Sequence, residues 1–259
     1  MQYKVREVTA GAAKLRVRTV GEGPTLVLLP GMARAATDLD PFGTLLVAAG
    51  YRVVQPDPRG IGSTGPLERL TLHDLAGDIA AVIEAVGGAP VVVIGHAFGN
   101  RVARCTAADR PDLVRGVVLL SSSGKVQPSP EIAAAIKVAQ DASQPPEKRA
   151  EAARKAWFGP GRDITIWLDG WVEPVRQAQT AAAAATDVAD WWTAGRAKVL
   201  IVQGLADVSA LPANGRLLKK EIGDRATLVE LEGIGHAVPI EDPEAVAAVV
   251  VDWLRGHPG

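Results

Sequence analysis

The feature that most constrains this chain is the passage from Val91, Val92, Val93 and Ile94 through Gly95, His96, Ala97 and Phe98 to Gly99 and Asn100. A continuous apolar run, suited to a buried strand, turns through small residues directly into a helical pattern, with no loop between. So abrupt a strand-to-helix turn holds its central residue in a strained backbone conformation. It also needs glycine on both sides so that strand and helix can approach closely. Gly95 and Gly99 supply those positions, and Ala97 stands at the tip. Such strain is a costly way to display a methyl group, so the turn itself points to a site.

The rest of the chain supports a sheet around this turn. Residues 25–29, 51–54, 91–94, 117–120 and 199–202 are apolar runs of the kind found in central parallel strands covered on both faces. Residues 226–231 form a further strand candidate. Residues 14–20 alternate charged and apolar side chains, which predicts a half-exposed antiparallel strand at the sheet edge. Helical patterns fall between these runs, at 40–49, 71–86, 98–109, 212–222 and 243–254. Alternating strand and helix predicts an α/β fold with a doubly wound, mostly parallel sheet.

One interval breaks the alternation. Residues 125–195 contain no strand run, are rich in alanine, and are punctuated by Pro128, Pro130, Pro145, Pro146, Pro160 and Pro174. About seventy residues are too many for a structureless loop, so the segment is read as a helical insertion over the carboxyl edge of the sheet. This divides the chain into a core, 1–124 and 196–259, and an inserted cap, 125–195. Five of the six tryptophans lie in the insertion: Trp157, Trp167, Trp171, Trp191 and Trp192. At least half should build the insertion's own small core, and the others should line an apolar pocket beneath a lid.

Composition excludes several classes of function. With 259 residues, 47% of them hydrophobic, the chain can bury roughly three quarters of its unfolded surface. No apolar stretch approaches the ~18 residues of a membrane span, and the amino terminus has no apolar signal core, so a cytoplasmic protein without membrane partners is expected. A net charge of −1 with mixed signs leaves no footprint for nucleic acid. Small molecules are the expected partners, and the chain is read as a monomer or homodimer. The single cysteine, Cys105, reads as a buried core residue. His73, His96, His236 and His257 show no metal-type spacing with cysteine or carboxylates. No metal and no cofactor are predicted.

With Ala97 read in the place of a serine, the turn resembles the G-x-S-x-G nucleophile elbow of the α/β-hydrolase family. The resemblance spans essentially the whole chain and implies an eight-stranded sheet with a helical cap. It further implies a nucleophile, acid and histidine in chain order: position 97, Asp207 after the strand ending at Gly204, and His236 after the strand 226–231. In such a set the imidazole takes the nucleophile's proton, while the buried carboxylate fixes its tautomer and supports its charge. The oxyanion amides fall on Met32 and Phe98, with Pro30 and Gly31 where the family usually has a histidine-glycine pair. Gly31, His96, Trp157, Trp167, Trp171, Trp192 and Ala237 are the expected pocket residues, and Arg154, Arg162 and Arg176 are candidate contacts for a substrate carboxylate. Asp57 to Thr64 also resembles a family signature, with Arg59 tying loops together; it lacks a P-loop lysine.

An elbow aspartate is absent, which argues against haloalkane dehalogenase and epoxide hydrolase chemistry. The only tyrosines, Tyr3 and Tyr51, also lie outside the cap, where epoxide hydrolases need them. The leading expectation is a serine hydrolase of small hydrophobic or aromatic esters or lactones, inactive here through Ala97. Two alternatives stand beside it: a natural ligand-binding relative without catalysis, and a cofactor-free oxygenase or lyase that uses the His236 and Asp207 pair as a base.

Overall fold

A computed structural model describes residues 2–257. Eight strands, β1 (Lys4–Ala10), β2 (Ala13–Val20), β3 (Thr25–Leu29), β4 (Arg52–Pro56), β5 (Val91–His96), β6 (Val114–Leu120), β7 (Lys198–Gly204) and β8 (Ala226–Leu231), form one sheet in the order β1-β2-β4-β3-β5-β6-β7-β8. The β1/β2 and β2/β4 pairs are antiparallel, and the pairs from β4 through β8 are parallel. Residues 14–20 are therefore not the edge strand expected of them. β1, mostly exposed, takes that edge, and β2 lies between β1 and β4 with most of its side chains buried.

The parallel strands are apolar throughout because consecutive side chains feed two different cores. Val27, Val93, Val117, Leu119, Val199 and Ile201 face one layer; Leu26, Leu28, Val92, Ile94, Val118, Leu120, Leu200 and Val202 face the other. On the first face pack α2 (Leu72–Val86) and α3 (Phe98–Asp109), joined by α8 (Pro212–Ile222) through Leu218. On the second pack α1 (Asp40–Ala48) and α9 (Pro243–Gly256), through Phe42, Leu46, Val246, Val250 and Trp253. Each such fully buried aliphatic side chain contributes roughly 1.5–3 kcal/mol. Helix α2 starts on a capping box, in which Thr71 accepts from the Asp74 amide and Asp74 accepts from the Thr71 amide at 2.8 Å. Arg59 ties its loop to this helix through a two-point pair with Asp78 at 2.7 and 2.8 Å.

Between β6 and β7 the chain forms α4 (Pro130–Gln140), α5 (Pro146–Trp157), α6 (Glu173–Ala184) and α7 (Val188–Trp191). Several prolines of this segment open helices rather than break them. Pro130, Pro146 and Pro174 occupy first-turn positions, where the missing N–H costs nothing. Helices α4 and α5 share a small cluster of Ala139, Ala152, Ala153 and Ala156 with Trp157, Phe158 and Trp167. Trp191 and Trp192 instead join the main core. Among the described residues no helix is long and apolar enough to cross a membrane.

Candidate active site

Ala97 caps α3 with φ 49° and ψ −110°, a conformation that non-glycine residues rarely adopt. The turn is closed by hydrogen bonds from the Ala97 amide to the Leu120 carbonyl, 2.9 Å, and from the Asn100 amide to the Ala97 carbonyl, 3.2 Å. Both flanking glycines are sterically required. A Cβ on Gly95 would lie 2.3 Å from the Gly99 carbonyl oxygen, and one on Gly99 would lie 2.5 Å from that of Leu29. The turn sits at the carboxyl end of the parallel strands, where open α/β sheets place their ligands.

Asp207 and His236 lie on the loops after β7 and β8. Asp207 is buried with its carboxylate fully engaged: Oδ1 accepts from the amides of Ser209 and Ala210 at 2.9 and 2.7 Å, and Oδ2 accepts from Gln203 Nε2 at 3.2 Å. Oδ2 also lies 2.9 Å from His236 Nδ1. Toward an ionised carboxylate Nδ1 must donate, which in a neutral imidazole leaves the lone pair on Nε2. His236 and Ala97 line the same cavity, of about 220 Å³.

The loop carrying His236 is anchored on several sides. Its carbonyl accepts from Ser121 Oγ at 2.7 Å and from His96 Nε2 at 2.9 Å, while its amide donates to the Trp157 carbonyl at 2.7 Å. His96 is fully buried, and loss of hydration with the nearby His236 pushes its pKa down to about 3, so it serves as a neutral donor. Glu241 accepts from the amides of Gly159, Gly235 and Ala237 at 2.8–3.1 Å, and burial pushes its carboxyl pKa up against those bonds.

Met32 and Phe98 border the cavity. Phe98 opens α3, where backbone N–H groups have no partner within the helix, and among the described residues neither its amide nor that of Met32 donates to a loop carbonyl or a side chain. Gly31, Trp157, Trp167 and Trp171 also line the cavity. The tryptophans form a continuous aromatic wall: Trp157 stacks on Trp171 at 4.8 Å, and Trp167 meets both edge-on.

Three expected pocket residues lie elsewhere. Trp192 packs in the main core, 5.0 Å from the Arg104 guanidinium, with its indole N–H donating to Glu221. Helix α7 docks on α3, and that carries the ring away from the cavity. Ala237 and His96 are buried and are not among the residues that line the cavity. The three candidate arginines are also outside. Arg154 is exposed, Arg162 binds the Glu241 carbonyl and Arg176 pairs with Glu173. Arg34 and Arg101 line the cavity in their place, with Ser123, Ile136, Gln140 and Ser209. Arg101 was open to detection, since it stands about one turn into the helix that follows the elbow. Gln203 and Glu241 carried no signal at the sequence level.

Away from the cavity, the fold assembles a set that sequence spacing did not suggest. His73 Nδ1 lies 2.8 Å from Asp109 Oδ2 and 3.5 Å from Cys105 Sγ, and the three are close enough to share a cation. Burial and the Asp109 charge push the thiol's pKa well up, which keeps it protonated, and the observed contacts are hydrogen bonds.

A strained elbow, a histidine paired with a buried aspartate and an eight-stranded mixed sheet define an α/β-hydrolase-type protein. The chain belongs to the alpha/beta hydrolase family, whose model matches residues 26–249. It is 32% identical over 213 residues to lipase LipV of Mycobacterium tuberculosis, covering 76% of this chain and 81% of that protein. It is 25% identical over 275 residues to the 2-(acetamidomethylene)succinate hydrolase of Mesorhizobium japonicum, covering 96% and 94%. The solved structure of an esterase from Exiguobacterium antarcticum superposes with a TM-score of 0.81 at 19% identity, covering 96% of this chain and 98% of that one.

Proposed function

We propose that the cavity is the substrate site of a carboxylic-ester or lactone hydrolase in which Ala97 occupies the nucleophile's place, so that the chain binds its substrate without forming an acyl-enzyme. The observation that carries this reading is the retention of the whole surrounding apparatus. A strained elbow at Ala97 and the His236–Asp207 pair at 2.9 Å meet at one cavity. A site used only to hold a ligand has no need of them as a set.

With serine at position 97, His236 Nε2 would take the hydroxyl proton as Oγ attacks the ester carbonyl, and the amides of Met32 and Phe98 would hold the oxyanion. His236 would then protonate the leaving alcohol. It would next activate the water that releases the acid and restores the serine. The wall of Trp157, Trp167 and Trp171 favours a hydrophobic or aromatic substrate, and residues 125–195 act as its cap. The lipase and hydrolase relatives support a hydrolytic reaction. Loss of such a nucleophile lowers kcat by about 10⁴- to 10⁶-fold while ground-state binding largely survives.

The test compares this chain with Ala97→Ser on aryl esters, aromatic-acid monoesters and lactones, together with labelling by an organophosphonate. Turnover and labelling at position 97 in the serine form alone are expected. If neither form reacts while ligands still bind, the hydrolase reading fails in favour of a binding protein. A second reading, the pair acting as a base without a covalent nucleophile, is favoured by His236 Nε2, which has no hydrogen-bond partner among the described residues, in a cavity where Ala97 offers no hydroxyl. It predicts turnover by the unaltered chain.

A further inference from the structure

The cavity wall is unbalanced in charge. Two arginines, Arg34 and Arg101, line it together with His236, and no aspartate or glutamate does so among the described residues. Arg34 is already neutralised. Its Nε and Nη2 bind Asp38 at 2.5 and 3.1 Å, and its remaining donors reach the carbonyls of Ile166 and Asp169.

Arg101 differs. Its one hydrogen bond among the described residues runs from Nε to Ser123 Oγ at 3.3 Å, and no carboxylate lies within ion-pair distance. Among the described residues its terminal nitrogens have no hydrogen-bond acceptor, its guanidinium carbon lies 5.9 Å from the centre of the Trp191 ring, and burial pushes its pKa down from the ordinary arginine value. Behind it Arg104, fully buried, is also without a carboxylate among the described residues; it is held by Asn100, the Ser123 and Trp192 carbonyls and the faces of Trp191 and Trp192. Two neighbouring guanidiniums thus lie on α3, Arg104 fully buried near mid-helix and Arg101 partly buried at the end of the first turn, where the helix dipole adds positive potential. Removing a cation from water without a counter-ion is strongly unfavourable. A fold that keeps such a group against a ligand cavity is completed by an anion from the ligand.

We propose that Arg101 and Ser123 form an anion subsite, and that the molecule bound in this cavity is an ester carrying a free carboxylate. This deepens, and rests on, the reading of the cavity as an ester site. The guanidinium fork suits a carboxylate in two-point geometry. Ser123 Oγ accepts from Arg101 Nε and so keeps its own proton free to donate to the same group. Arg101 stands three residues beyond Phe98, which opens α3, ~4.5 Å along the helix axis, and side chains of a helix lean toward its amino end. The carboxylate therefore sits about one helical turn from the carbonyl presented to position 97, with an aromatic or short aliphatic spacer along the tryptophan wall.

The test uses a matched pair, the monomethyl and dimethyl esters of an aromatic dicarboxylic acid, titrated by calorimetry into the unaltered chain at low salt. The monoanion is expected to bind about 10- to 100-fold more tightly, with the ratio shrinking as salt is raised. Arg101→Met should bring the ratio close to one, Arg101→Lys should restore part of it, and Ser123→Ala should lower it a few-fold in the unaltered chain but change it little in the Arg101→Met background. A ratio near one in the unaltered chain, or one that persists in folded Arg101→Met, overturns the subsite. The two readings fail separately. An anion preference that depends on Arg101, with no ester turnover by Ala97→Ser, removes the hydrolase reading and keeps the subsite. Equal kcat/KM of Ala97→Ser on both esters does the reverse.

Discussion

His96 Nε2 donates to the main-chain oxygen of His236 at 2.9 Å, so the residue just before the elbow tip fixes the loop that carries the candidate base. The same carbonyl also accepts from Ser121 Oγ, at the end of β6. Position 97 and His236 are thereby referred to one another through the backbone, and replacing the serine expected at 97 leaves that link in place.

This link makes the fold sensitive to acid. His96 is held near a pKa of about 3, against about 6.5 in an unfolded chain. Its contribution to stability is therefore complete above pH ~6.5 and is lost as pH falls toward 3, because the unfolded chain takes up the proton first. The loss by pH 4 should be roughly 3 kcal/mol. Denaturant unfolding at pH 7 and pH 4 should show His96→Gln losing about that much less than the unaltered chain. Equal acid sensitivity of the two would place the titration elsewhere.

In the Ala97→Ser background, Asp207→Asn should lower kcat by on the order of 10³- to 10⁴-fold with KM little changed. An asparagine amide turned toward Nδ1 would put the imidazole proton on Nε2, the wrong nitrogen for a base. It would also face Gln203 Nε2, donor against donor. A fall of less than tenfold in steady-state assays would mean that Asp207 does not set the tautomer.

Gly99→Ala should destabilise the protein by at least about 3 kcal/mol, since its Cβ would press on the carbonyl oxygens of Leu29 and Pro30 at 2.5 and 2.6 Å. Gly77, within α2, has nothing within 4 Å of the same atom, so Gly77→Ala should stabilise by about 0.5–1 kcal/mol. Guanidinium midpoints for the two variants decide the point. A near-neutral Gly99→Ala would show that strand and helix do not approach as closely as the elbow requires.

Local chemistry made the central strands, the elbow and most core helices legible. A buried parallel strand must be apolar on both faces, as residues 91–94 are, and a strand-to-helix turn without a loop must place small residues where Gly95 and Gly99 stand. α3, α8 and β8 begin and end where the residue pattern placed them, at Phe98–Asp109, Pro212–Ile222 and Ala226–Leu231. The edge strand was misplaced because alternation reports one covered face, not whether a neighbour is hydrogen-bonded alongside. β1 supplies that neighbour to β2.

Amino-acid order alone determined the fold class and the strand-loop positions of Ala97, Asp207 and His236, because each depends on residue type and local period. Only the tertiary structure decided which aromatic and charged side chains meet the cavity. Trp171 lines it and Trp192 does not, and Arg101 lines it while Arg154, Arg162 and Arg176 turn to solvent or to acidic and carbonyl partners. Tryptophan and arginine look alike in a sequence whether they face a ligand or a core. For Trp192 the difference is made by the docking of α7 on α3, a long-range packing choice that no local pattern encodes.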